Sequence, residues 1–479
     1  MFVRKTSREF RKRILLSLLA GVFFLSSCSA FELREAEGST PVYTETEPAP
    51  EEVSEIPKIA ETAPPVPEPV EPEPETEEIV ETEPFRPAIP EGEREISGEA
   101  ADWIAQFDSR FGEGASDAVI LDPEEIEAYN RRMTENCPTL VNIEEIPETA
   151  DGTALIGRIS SYSFPQGDKF DRGGKPIDAE AREAILSNRA LETIGAEVEV
   201  QPAIVTARCD LKTFPTSLGF YDSGDTFYSL IQQTELIVGM PVWVLHRSAD
   251  GGYLYVQSYY YEGWISASAA AFCDRETFLS FCRPDTYVTV TAVKVDAGHT
   301  ELDMGVVLPC VGETEENYIA VLPMREAGGS CSERETNIPK SDAWPGHLPY
   351  TMKNYYAQAF AYLGTQYGWG GADGGIDCSG FVCAVFRTFG IMLPRDTREQ
   401  KDYAGEVVYT ENYDAEATDG LLSSLRAPAA LYRPKHVMLY LGKSADGMHR
   451  VIHAPKGGDF VKVAVLDTTR PLSSVVEFR

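Results

Sequence analysis

For its length the chain is short of histidine and cysteine, with six of the first and nine of the second in 479 residues. Nine cysteines are too few to act as a disulfide scaffold in place of a core. Beyond an N-terminal segment there is no cluster of lysine and arginine. With a formal net charge of -34, nothing in the rest of the chain would pair with a nucleic-acid backbone or an anionic membrane surface. No apolar run reaches the roughly 20 residues that cross a bilayer, and no ligand spacing would hold a metal. These absences set aside a nucleic-acid binder, a membrane-spanning domain, a metalloenzyme and a disulfide-stapled module. What is scarce then becomes informative, and each histidine asks for a reason.

One cysteine stands in an unusual place. Tyr367 to Gly380 reads Y-G-W-G-G-A-D-G-G-I-D-C-S-G, a glycine-rich loop that delivers Cys378 to the start of an apolar stripe at Phe381, Val382, Val385, Phe386 and Phe389. That spacing predicts a helix buried on one face and stopped by Gly390. Asp377 is placed as its N-cap, which puts Cys378 at the first helical position, where free N–H groups and the positive dipole end favour a thiolate. Cys383, one turn on, reads as packing. Downstream, His436–Leu441 and Arg450–His453 alternate like strands, with Gly442 and Gly447 flanking the residues between them. They read as a hairpin. If Gly442 pairs with Gly447, His436 falls directly opposite His453, with Cβ atoms roughly 5 Å apart. A cysteine nucleophile needs a base to take its proton and a polar group to orient that base. Cys378, His436 and His453 fill those roles in order.

These residues resemble the NlpC-type (NlpC/p60) cysteine peptidases of the bacterial cell wall. The resemblance rests on Leu348-Pro-Tyr-Thr, Tyr367-Gly-Trp-Gly-Gly, Asp377-Cys-Ser-Gly, Leu393-Pro-Arg-Asp-Thr397 with Gln400, His436-Val-Met-Leu-Tyr-Leu-Gly and Ile452-His-Ala454, in the family's order. It implies a papain-like domain with Cys378 as nucleophile, His436 as base and His453 as the orienting residue. It further implies Tyr367 near the oxyanion, and Asp377, Ser379 and Thr397 lining the substrate site. Where many members carry Pro-Gly-Asp on the strand leading to the first histidine, this chain has Ala427-Pro-Ala-Ala-Leu431. The mechanism implied needs no cofactor. The substrate implied is the γ-D-glutamyl to diamino-acid bond of peptidoglycan stem peptides. An amidase or acyltransferase on the same scaffold, or a catalytically silent wall-binding lipoprotein, are the alternatives.

Taken from its start, the chain opens with six basic residues between Arg4 and Arg13 and an apolar run from Ile14 to Leu25. This reads as an export signal, 1–27. Leu25-Ser-Ser-Cys28 looks like a lipobox, which would make Cys28 a lipidated residue anchoring an exported, cell-envelope protein to the membrane. Residues 28–98 are dominated by Glu, Pro, Thr and Ala and carry about half of the net charge. They read as a disordered tether. The region 99–190 reads as mostly helical, with Asp122-Pro-Glu-Glu a helix start. Short alternating runs over 191–273, with Arg208-Cys-Asp-Leu-Lys-Thr-Phe-Pro-Thr216 and Gly263-Trp264, look like the SH3-like domain found beside NlpC-type peptidases. Residues 274–340 resemble a second, shorter one, and 341–479 the peptidase. The expected fold class is α+β: a papain-like peptidase domain preceded by two small SH3-like β-barrels and a mostly helical N-terminal region. The expected partners are stem peptides and the membrane through Cys28, with no nucleic acid. Setting aside Cys28 and Cys378 leaves seven cysteines, an odd number, with Cys273 and Cys282 or Cys310 and Cys331 the nearest candidate pairs.

Overall fold

The computed structural model describes residues 85–90, 96–457 and 459–479. The apolar run and Cys28 lie outside them, as does most of the expected tether. Residues 85–90, within that stretch, lie against the second β unit. Ala88 N–H donates to Glu313 and its carbonyl accepts from the Tyr318 hydroxyl, while the Phe85 carbonyl accepts from Thr286.

Helices then brace the C-terminal unit. Pro123–Asn136 starts in a full capping box, Asp122 accepting from Glu125 N–H while the Glu125 carboxylate reaches back to Asp122 N–H. That satisfies two of the donors a helix start leaves open. Further along this helix, Asn130 clamps the turn after Gly390, donating to its carbonyl at 2.7 Å and accepting from Met392 N–H at 3.0 Å. Gly390 holds φ 79°, and a Cβ there would sit 2.6 Å from the His347 ring, so only glycine closes that turn.

Two β units follow. The first orders its strands Ala270–Phe272, Gln201–Val205, Pro241–Arg247, Tyr253–Gln257, Glu262–Ser266, Cys209–Lys212 and Gln232–Leu236 in one antiparallel sheet. Its central strands are buried on both faces, Leu254, Tyr255 and Val256 in succession and Trp264 beside Ile265. The second orders Cys331–Pro339, Asn317–Arg325, Val307–Glu313, Tyr287–Val290 and Ala343–Pro345, with a hairpin of Lys294–Asp296 and Glu301–Asp303 beside it. The eight described cysteines are all free, so neither candidate pair is bridged.

In the C-terminal unit an antiparallel sheet runs Glu406–Tyr409, Ser474–Glu477, Ala429–Arg433, His436–Lys443, His449–His453, Lys462–Val465. Successive residues feed two apolar clusters. Ala430, Tyr432, Val437 and Leu439 join the main core, and Ala429, Leu431, Met438 and Tyr440 pack under the helix Ala415–Ser424. The helix Cys378–Arg387 lies on the main-core side. It is buried on every face rather than along one stripe, because both β units close over the side that sequence periodicity leaves to solvent. Even Arg387 is enclosed, its methylenes against Gly305 of the second unit. One contiguous core thus runs through the helices, both β units and the C-terminal sheet.

Candidate active site

Asp377 caps the helix Cys378–Arg387, its Oδ1 accepting from Gly380 N–H at 2.7 Å and its Oδ2 from Gly370 N–H at 2.9 Å. Cys378 is therefore the first helical residue, as the spacing predicts. It is not the expected resting thiolate. Burial foremost, and then the Asp377 charge, push the Cys378 thiol up to about 11, against hydrogen bonds from the N–H groups of Val437 and Ser379 that pull the other way. The dipole argument neglects that the helix start is desolvated and carries an anion as its own cap.

His436 and His453 meet, Nε2 to Nδ1, at 2.8 Å with ring centres 5.0 Å apart. They are not directly opposite. Leu439 pairs with Ile452 and Tyr440 with Val451, which places His453 across from Met438 and two residues from His436 along the strand. The hairpin closes at Ser444 and Met448 rather than at Gly442 and Gly447, with a bulge between Tyr440 and Gly442. The offset is even, so both rings keep one face; an odd slip would have parted them. Burial foremost holds each imidazole down to about 4, helped at His436 by the charges of His453, Arg433 and Lys456. Burial thus works against the charged form of all three groups.

Residues 364–479 match the NlpC/P60 family, and residues 220–266 match the SH3 domain of the SH3b1 type. The C-terminal unit is an NlpC/P60 domain. A γ-D-glutamyl-L-lysine dipeptidyl-peptidase of Bacillus subtilis (strain 168) is 31% identical over 164 residues, 33% of this chain and 52% of that one. A protein of the same name from Bacillus cereus (strain ATCC 10987 / NRS 248) is 25% identical over 256 residues, 49% of this chain and 71% of that one. The chain thus spans about half the length of the first of these relatives. Among solved structures, an NlpC/P60 endopeptidase from Photobacterium damselae subsp. piscicida superposes with a TM-score of 0.63 at 19% identity, covering 82% of this chain and 99% of that one. That likeness shows the fold.

Around the NlpC/P60 site the other expected residues divide into two groups. Tyr367 is buried next to Cys378, and its hydroxyl has no hydrogen-bond partner among the described residues. Asp377 and Ser379 are buried too, but they face inward to Arg395, which donates to Asp377 Oδ2 at 2.7 Å and to Ser379 at 2.8 Å. They support the helix start rather than line a surface. Burial acts to raise the Asp377 carboxyl, yet Arg395 holds it below the usual carboxylate range. Thr397, half-buried, opens the helix Thr397–Tyr403 two residues past Arg395.

Sequence reading missed what the SH3 domain contributes. Arg395 Nε donates to Thr234 at 2.7 Å, and Glu235 lies between Arg395 at 3.8 Å and Arg208 at 3.9 Å. Arg208 reaches the carbonyls of Gly371 at 2.8 Å and Gly375 at 3.0 Å while pairing with Asp303 of the second β unit. Gly371 holds φ 76°, and a Cβ there would fall 1.8 Å from Glu235 Oε2, so this glycine lets the two domains touch. Higher on the seam, Tyr228 accepts from Gly457 N–H at 2.7 Å and packs 6.2 Å from Tyr367 and 5.8 Å from Trp369. Tyr261 donates to Asp396 at 3.3 Å. The only signal in the sequence was the glycine run itself, which marks a close backbone approach without naming the partner.

Proposed function

We propose that this chain is a cysteine peptidase that hydrolyses the γ-D-glutamyl to diamino-acid bond of peptidoglycan stem peptides, with Cys378 as nucleophile, His436 as base and His453 as its orienting partner. The observation that carries the reading is the 2.8 Å contact between His436 Nε2 and His453 Nδ1 beside a buried thiol at a helix start. In the working tautomer His436 donates from Nε2 to His453, which leaves the His436 Nδ1 lone pair for the Cys378 proton. The thiolate then attacks the γ-carbonyl carbon. The oxyanion develops toward the helix N-terminus and toward the Tyr367 hydroxyl, a buried donor with no other partner among the described residues. Collapse breaks the C–N bond, and the amine leaves with the proton from His436. Water then cleaves the thioester and restores the thiol. Burial opposes the charged forms of both groups, so the helix N-terminus and the His453 acceptor are what favour the thiolate and imidazolium as the proton moves.

The names of the Bacillus relatives, γ-D-glutamyl-L-lysine dipeptidyl-peptidases, support the bond and a dipeptidyl-peptidase type, for which we propose a free N-terminal L-Ala. The seam with the SH3 domain agrees with that suggestion, since Tyr228, Gln233 and Tyr261 stand against the peptidase where residues before the alanine would run. Glu235 is already flanked by two guanidinium groups. Asp396, which faces the Tyr261 hydroxyl, is the better carboxylate for an ammonium.

The test is to digest purified muropeptides with the folded part of the chain and to identify the fragments by mass spectrometry, with Cys378→Ala and His436→Ala alongside. A new amine on the diamino acid is expected, and is lost in both variants. Cleavage at another bond, or by Cys378→Ala at a comparable rate, refutes the reading.

A further inference from the structure

Lys456 lies three residues beyond His453 on the segment that leads out of the hairpin. Its Nζ sits 5.3 Å from the centre of the Tyr228 ring and 5.6 Å from that of Trp369. No carboxylate among the described residues pairs with it. Its neighbours on the same sheet behave differently, since Lys443 pairs with Asp419 and Lys462 with Asp459. Lys456 is exposed, and what sets it apart is that two aromatic rings rather than a carboxylate hold its ammonium. Aromatic faces hold an ammonium in place while leaving its three N–H donors free and its charge unneutralised. Both rings are themselves fixed at the cleft: Tyr228 by Gly457 N–H, and Trp369 by the loop whose next residue, Gly370, donates to Asp377.

An unpaired cation here carries a cost to catalysis. Its charge reaches His436 and, behind burial, His453 and Arg433, disfavours the imidazolium that the base must become. An anion bound at Lys456 during the reaction removes that cost. The proposed substrate brings such anions. A γ-linked glutamyl residue keeps its α-carboxylate on the acyl side of the scissile bond, and a terminal diamino acid keeps its own on the amine side. An α-linked peptide offers neither within its interior. Resting on the function proposed above, we infer that Lys456 is a specificity-determining residue that receives a free substrate carboxylate lying within one residue of the scissile bond.

The probes are L-Ala-γ-D-Glu-L-Lys, the same peptide with the glutamyl α-carboxyl as carboxamide, and the same peptide with the lysine carboxyl as carboxamide. They are assayed with the wild type, Lys456→Met and Lys456→Arg. On the all-acid peptide Lys456→Met should lose roughly 10- to 100-fold in kcat/KM, mainly through KM, the range for a hydrogen bond to a charged group. Lys456→Arg should keep most of the activity. One carboxamide should cost the wild type a similar factor and make Lys456→Met no worse, which identifies the contacted carboxylate; the other should leave the full Lys456→Met loss in place. A loss by Lys456→Met smaller than about threefold, or a full loss on both carboxamides, overturns the inference. Wild-type protein inactive on all three peptides refutes the proposed function instead.

Discussion

Arg395→Met keeps much of the side chain's bulk and removes its charge from a residue only 3% exposed. Asp377 would lose contacts at 2.7 and 3.1 Å, Ser379 one at 2.8 Å and Thr234 one at 2.7 Å, and Glu235 would keep only Arg208. Removing one partner of a buried pair costs about 3–5 kcal/mol, because the other charge stays buried. Asp377 retains two backbone donors, which places the expected loss inside that range rather than above it. The pH dependence has a definite sign. In the wild type Arg395 holds the Asp377 carboxyl below its usual value, a contribution present above the unfolded pKa and lost as pH falls through the folded one. In the variant, burial at Asp377 is opposed only by the Gly370 and Gly380 N–H donors and at Glu235 mainly by Arg208, so both carboxyls shift toward the protonated form in the folded state. The deficit against wild type should therefore be largest near neutral pH and should narrow toward pH 4. Urea unfolding at neutral pH and near pH 4.5 reads this as a midpoint shift on the order of 1 M that shrinks on acidification. The midpoint is the quantity to compare, since several units share the core. Adding Asp377→Asn should recover part of the loss. A deficit below about 1 kcal/mol, or one that widens in acid, refutes the account of this cluster.

His436→Ala should cost on the order of 10² to 10⁴ in kcat as a lost base. His453→Ala should cost less, and His453→Asn, whose amide oxygen still accepts from His436 Nε2, should recover part of it; equal losses in all three would contradict the assigned roles. His347 is half-buried against Thr289, and desolvation holds it down to about 4, so unfolding takes up its proton between that value and 6.5. Its contribution to stability is complete above the unfolded value and falls as pH drops, and His347→Gln should flatten the urea midpoint over that window; an unchanged slope would show that this imidazole titrates normally. A free tripeptide should exceed the same peptide attached to muramic acid by a hundredfold or more in kcat/KM, since a blocked amine leaves a cleft carboxylate unpaired, and equal values would exclude the closed cleft. Cys28→Ser should move the protein out of the membrane fraction of cells, and unchanged fractionation would show that Cys28 carries no anchor.

Local rules carried far where the answer was local. Asp377 caps its helix and Asp122 builds its capping box as the side-chain chemistry requires. The strands Pro241–Arg247 and Tyr253–Gln257 fall where alternation puts them. The hairpin face survived a register two residues off, because strand parity is insensitive to an even slip. The misses share one cause, which is that they depend on what arrives from elsewhere in the chain. Nothing near Cys378 announces that two β units will bury its helix and raise its thiol. Arg208, Thr234 and Glu235 lie more than a hundred residues from the site, and no periodicity links them to Arg395 or to the glycine loop.

The strand Ser474–Glu477 is the last of its sheet in chain order, yet it lies inside it, between Glu406–Tyr409 and Ala429–Arg433. Just beyond it, the Phe478 carbonyl takes the Tyr350 hydroxyl at 2.8 Å, under the first strand of the C-terminal unit. During synthesis the β units and the helix bearing Cys378 emerge first and can fold in turn. The sheet that carries both histidines has an open slot until Ser474–Glu477 is in place. The strand order thus makes the histidine-bearing sheet the last part of this unit to close, after the helix that carries Cys378.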